Sequence, residues 1–163
     1  MYRRVPRGED VDMSYLNTLA ERGITKEKLI STCLELFVPH PEIESRERAE
    51  QVLSKIFDSL LEDANVCALL EAAFALEEKA ARGELYGISS KAYEKDAVFI
   101  VADEIIGMAI AEYIAGTRAR FEYVRFDMAK PGVLSSLGPF VDDAIAGLIA
   151  GASTLMYSTK GRV

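Results

Sequence analysis

AVFIVADEIIGMAIAEY, residues 97–113, decides how this chain folds. The stretch is apolar around most of a helix circumference, so it belongs in a core rather than on a surface. Yet Asp103 and Glu104 stand side by side in its middle. Ionised carboxylates are rarely buried alone, because desolvation costs each of them several kcal/mol. A cation is therefore expected beside them.

A membrane span is the competing reading of the run from 97 to 116, which has about the 20 residues that crossing a bilayer takes. Asp103, Glu104 and Glu112 fall inside it, and an acid at the centre of a span costs about 2.5–3.5 kcal/mol. The second apolar run, Ala144 to Tyr157, is too short to cross. Both runs are expected to form the core of a bundle, with no membrane span.

With 163 residues, 50% of them hydrophobic, the chain suits one domain with a substantial core. Its formal net charge of −7 offers no general attraction to nucleic acid or anionic lipid. Cys33 and Cys67 are isolated, which argues against a disulfide scaffold or zinc knuckle, and they read as small core residues in a reducing cytoplasm. The opening MYRRVPRGEDVD lacks an apolar segment after its basic residues, so it is not a secretory signal. Residues 1–12 are expected to be a polar lead-in and 13–163 a single helical domain.

Outward from the opening stretch, the periodicity predicts helices nearly throughout and no strand. Ser14 caps a helix ending at Gly23, and Thr25 caps another through Phe37 with Leu29, Ile30, Cys33 and Leu34 on its stripe. Pro39 and Pro41 break the chain, which restarts at Ser45 and runs to Leu61. A helix from Ala64 to Arg82 stops at Gly83. GELYGISSKAYEKD, 83–96, reads as loop. Helices follow from Ala97 to Ile114, from Arg118 to Met128 and from Phe140 to Tyr157. The expected fold is all-α, a compact soluble bundle of about six to seven helices.

Three signals lie in the C-terminal part: DEIIG (103–107), RFDMAKPG (125–132) and DDAIAG (142–147). Asp103 and Gly107 share a helix face, as do Asp143 and Gly147, so each carboxylate stands over a small residue. If the two faces approach, Asp103 or Glu104 meets Asp142 and Asp143. Such acids need a divalent ion to stay ionised together. Hard oxygen donors favour Mg²⁺ or Mn²⁺ over Zn²⁺. Arg125 and Lys130, beside Asp127 and a Pro-Gly turn, supply cations suited to phosphate. Taken singly, each acidic pair also reads as a solvated face or a helix-dipole partner.

In order and spacing, the three blocks resemble those of the phosphatidylglycerophosphatase A family. ERGITKEKL, LFVPHP and LGPFVDDAIAGLIAG are similar to its soluble archaeal branch, the α-ribazole phosphatases of cobalamin biosynthesis. The Gly-Thr-Trp-Gly segment and hydrophobic spans typical of membrane members are absent from the sequence. The resemblance implies Mg²⁺-dependent hydrolysis of α-ribazole 5′-phosphate, with phosphatidylglycerophosphate as the alternative substrate. A non-catalytic helical oligomer holding a structural ion is the reading from another class.

Other phosphatase chemistries fit poorly. A cysteine nucleophile needs an Arg six residues on, where Pro39 and Ala73 stand, and a histidine phosphatase needs two histidines, whereas His40 is alone. DVDM, 10–13, follows RGE rather than a buried strand. That leaves metal-assisted attack of water on phosphorus. Asp103, Asp142 and Asp143 are the expected metal ligands, with Glu104 a further ligand or the proton acceptor. Arg125 and Lys130 would hold phosphoryl oxygens, and Asp127 would orient one of them or complete the metal shell. His40 either closes a helix end or gives a proton to the leaving oxygen. The apolar circumference of 97–113, with Gly147 and Gly151 available for close crossing, predicts a homo-oligomer, a dimer or tetramer.

Overall fold

The computed structural model describes residues 14–158, so the lead-in at 1–12 lies outside the described residues. They form eight α-helices: α1 (Tyr15–Glu21), α2 (Lys26–Glu35), α3 (Arg46–Leu60), α4 (Ala64–Ala81), α5 (Ser90–Glu94), α6 (Ala102–Ala115), α7 (Thr117–Ala129) and α8 (Pro139–Ser158). A 3-10 turn, Gly132–Ser136, joins the last two. No strand is present among the described residues, and the all-α expectation stands.

Local chemistry starts most of these helices where the sequence said. Ser14, Thr25 and Ser45 accept from the backbone N–H of Leu16, Lys28 and Arg48, and Asp63 accepts from Asn65 and Val66. Each such cap is worth about 1 kcal/mol. Glycine closes α4 at Gly83, with φ +67°, a left-handed turn that costs a residue without Cβ nothing.

α8 is the hub, packed against α2, α3, α4, α6 and α7. Every residue from Phe140 to Thr154 is buried. At 20 residues it outruns the 144–157 stretch read as too short to cross: among the described residues it is the one helix long and apolar enough to do so, and 83% of that apolar window is covered by the rest of the bundle.

Three expectations need correction. The helix predicted from Ala97 begins only at Ala102. Asp96 turns left-handed (φ 47°), and the chain then runs irregularly through 97–101 while Ile100 plugs a small cluster with Ala80 and Phe140. Asp103 and Glu104 thus occupy the first turn of α6, not its middle, where the positive end of the helix dipole favours them. Shortened to 14 residues, α6 is also too short for a span of about 20.

The segment at 83–96 is not all loop. It holds α5, capped by Ser89, and with the 3-10 turn this gives more elements than the six or seven helices expected.

Gly107 does not make room for a carboxylate. A Cβ there would lie 2.5 Å from the Asp143 carbonyl oxygen and 2.5 Å from the Tyr123 ring. A Cβ on Gly147 would strike the Gly107 carbonyl, and one on Gly151 would come within 2.7 Å of Ile114. The small-residue stripe serves the α6–α8 crossing inside one chain rather than a crossing between subunits.

Candidate active site

Helices α6, α7 and α8 converge with their acids at one end of that crossing. Asp103, on α6, is 2% exposed and accepts from the backbone N–H of Glu104 at 3.0 Å. Asp142 and Asp143 lie in the first turns of α8, 6% and 4% exposed. Asp103, Glu104 and Asp143 each bring a carboxylate oxygen to within 4.8 Å of the others.

Lys130 supplies the opposite charge. It ends α7 in the left-handed region (φ 41°), an uncommon conformation for a residue with a side chain. Pro131 follows, so the helix cannot continue. The turn sends Nζ to Asp142 Oδ2 at 2.5 Å, with Asp127 Oδ1 at 3.8 Å.

The electrostatics follow from burial and crowding. Desolvation pushes the Asp103 carboxyl up to about 7, with Glu104 adding to the effect. Asp143 rises to about 9 through burial and then through the charges of Asp142 and Asp127. Asp142 rises least, to about 6, because Lys130 offsets its burial. The Lys130 ammonium is held above the ordinary lysine range: burial works against it, and Asp142 overcomes that.

Of the four predicted ligands, three come together. Asp142 stands beside them but spends one oxygen on Lys130. Two carboxylate oxygens, Glu104 Oε2 and Asp142 Oδ1, are buried without a protein partner. Leaving such an acceptor unpaired costs about 1–3 kcal/mol. Hard oxygen donors, unpaired acceptors and an excess of acids over one lysine all fit a divalent cation such as Mg²⁺ or Mn²⁺.

Arg125 is placed differently from its expectation. Two residues from both Tyr123 and Asp127, it leaves the opposite side of α7, where it pairs with Glu122 at 2.8 Å and donates to the Leu36 carbonyl at 3.2 Å. Glu122 also accepts from Ser153. His40 closes a turn: it exchanges backbone hydrogen bonds with Ile43, its Nδ1 accepts from the Glu42 N–H, and its ring meets Tyr157 edge-on.

Two residues escaped the sequence reading. Glu77, on α4, accepts from the N–H groups of Phe140 and Val141 at 2.9 and 3.2 Å, and from the Tyr93 hydroxyl. It caps the helix that carries Asp142 and Asp143, and Gly138 lacks a Cβ where that carboxylate lies. No local motif marks a cap drawn from so far along the chain. Tyr123 lies 2% exposed against Gly107, its hydroxyl buried without a well-formed hydrogen bond. Its phenol is held far above the ordinary tyrosine range by desolvation and by Asp143 and Asp127. The four-residue step to Asp127 was the available signal.

A helical bundle that gathers Asp103, Glu104 and Asp143 within 4.8 Å, with a lysine-held Asp142 beside them, forms an acid-lined candidate site. The chain belongs to the phosphatidylglycerophosphatase A family, a phosphatase family, whose sequence profile matches residues 49–158. It is 37% identical over 118 residues to an uncharacterized protein of Methanocaldococcus jannaschii, covering 70% of this chain and 90% of that one.

Solved structures share the fold. The low temperature requirement C protein of Listeria monocytogenes superposes with a TM-score of 0.72 at 22% identity, over 89% of this chain and 93% of that one. Protein ypjQ of Bacillus subtilis gives 0.71 at 21% identity, over 88% and 90% of the two chains.

Proposed function

We propose that the protein is a Mg²⁺- or Mn²⁺-dependent phosphomonoesterase acting on α-ribazole 5′-phosphate. The observation that carries the metal reading is the Asp103–Glu104–Asp143 trio with its unpaired buried oxygen. A divalent ion held by these three supplies Lewis-acid neutralisation of phosphoryl charge and a more acidic water. The substrate rests on the similarity of ERGITKEKL, LFVPHP and LGPFVDDAIAGLIAG to the α-ribazole phosphatase branch.

In the reaction, a water oxygen bonds to phosphorus, the phosphorus–O5′ bond breaks, and the leaving oxygen takes a proton from solvent. Glu104, whose second carboxylate oxygen stays free when the other is given to the ion, would receive the proton of the attacking water. Lys130 keeps donors beyond the one given to Asp142 and offers them to the phosphoryl oxygens. Asp127 holds Lys130 in place from 3.8 Å. Arg125, turned toward Glu122, is left out of this set.

Exposed Phe121, Val124 and Met128 on α7, with Ile105 on α6, support a homo-oligomer. We infer a cytoplasmic protein, on the reducing-compartment reading of its two free cysteines.

The test is phosphate release from α-ribazole 5′-phosphate, simple nucleotides and phosphatidylglycerophosphate in detergent, with Mg²⁺ and with EDTA. Mg²⁺-dependent release from α-ribazole 5′-phosphate above the others is expected. Preference for the lipid overturns the substrate, and full activity in EDTA overturns the metal.

A further inference from the structure

Helix α7 sends two side chains toward the carboxylates, Asp127 and, one turn earlier, Tyr123. The Tyr123 ring is wedged between α6 and α8, touching the space that only a glycine at 107 leaves open. That clamp fixes where the phenol oxygen sits, so rotation about the C–O bond is its remaining freedom. The hydroxyl is buried and makes no well-formed hydrogen bond, while Asp143, which lies close enough to interact with it, Asp127 and Glu104 are the charges that bear on it. A buried donor with no well-formed bond, near the unpaired Glu104 Oε2, is a costly arrangement for a fold to keep.

We propose that Tyr123 is a positioning residue for a divalent cation, its phenol donating to Asp143 when Asp103, Glu104 and Asp143 share the ion. This rests on the metal reading above. Carboxylates that ligate a metal are characteristically held by an outer hydrogen-bond donor, which fixes their orientation. Among side chains facing Asp143, Asp127 and Asp103 are acids and Lys130 Nζ bonds Asp142. The phenol is thus the neutral donor that the arrangement provides.

The test compares wild type with Tyr123→Phe, which keeps the ring against Gly107 and removes only the hydroxyl. Mg²⁺ and Mn²⁺ are titrated into each full-length protein by calorimetry, and the Tm of each is measured in EDTA. Expected are metal binding weakened about 10–100-fold and a metal-free Tm equal to or above wild type, since the variant loses a buried hydroxyl that makes no well-formed hydrogen bond. Variant and wild type binding metal equally would overturn the Tyr123 role alone. Wild type binding neither ion would overturn the metal reading and this inference together. A metal-free Tm several degrees lower in the variant would also overturn it, because the hydroxyl would then be serving the empty fold.

Discussion

Replacing Gly107 by alanine should separate the packing of the bundle from the geometry of its site. The added Cβ would sit 2.5 Å from the Asp143 carbonyl oxygen, 3.0 Å from its carbon and 2.5 Å from the Tyr123 ring. Ordinary carbon–oxygen contacts begin near about 3.3 Å and carbon–carbon contacts near about 3.5 Å. Something must therefore give by about 0.8–1 Å, and the obstacles are a helix backbone and a buried ring. Overpacking of this kind costs about 1–3 kcal/mol. At about 2–4 °C per kcal/mol for a domain this size, Tm should drop by about 2–12 °C. Because the obstacle belongs to Asp143 itself, a shift of about 1 Å should also cost about 100-fold in kcat/KM. Gly151→Ala is the comparison: it crowds Ile114, at the other end of the same crossing, and should lower Tm while leaving kcat/KM within about threefold of wild type. Scanning calorimetry and phosphate-release kinetics on the three proteins decide it. Wild-type Tm and activity in Gly107→Ala, or equal activity loss in both variants, would refute the reasoning.

Asp103→Asn and Asp143→Asn should each cut Mg²⁺-dependent phosphate release by at least about 100-fold, yet raise Tm in EDTA, because each removes a desolvated acid; a fall in Tm would contradict the burial cost. In metal-free buffer the folded state should hold protons on Asp142, Asp103 and Asp143 up to about pH 6, 7 and 9, whereas unfolded aspartates release them near about 3.9. Folded pKa values above unfolded ones mean stability that is full below about pH 4 and is lost as pH rises through 6 to 9. Urea midpoints in EDTA should therefore be lower at pH 8.5 than at pH 5, and Mg²⁺ should narrow the gap. Lys130→Ala leaves Asp142 buried without its cation and should cost about 2 kcal/mol, discounted for the partial exposure of Lys130, with more than tenfold loss of activity; Arg125→Ala should cost less of both. Light scattering should find a mass above the 17.9 kDa chain, and Met128→Lys should lower it.

Helix starts were legible where a side chain makes the cap, as at Ser14, Thr25 and Ser45. The start of α6 was not, because its N-cap, Val101, makes no side-chain hydrogen bond and the apolar 97–101 continues the helical pattern without a mark. What ends the irregular stretch is tertiary: Ile100 fills a hole against Ala80 and Phe140, which no local spacing reveals. The acids of the site could be read because paired carboxylates beside glycines in apolar runs need a common explanation. Arg125 was expected beside Lys130 from residue type and nearness in sequence, whereas helix phase turns it to the far side of α7, toward Glu122. Glu77 was invisible for the opposite reason: its role depends on α4 meeting the start of α8, a contact across 63 residues.

α8 is completely enclosed from Phe140 to Thr154, and each helix that encloses it is translated earlier. During synthesis α2, α3, α4, α6 and α7 must wait with the surfaces meant for α8 open to water. Chains of this size expose hydrophobic surface while incomplete and aggregate through it, so the nascent protein should be a client of chaperones until its hub arrives. The same order ties catalysis to completion: Asp142 and Asp143 enter with α8, and no partial product can assemble the acid centre.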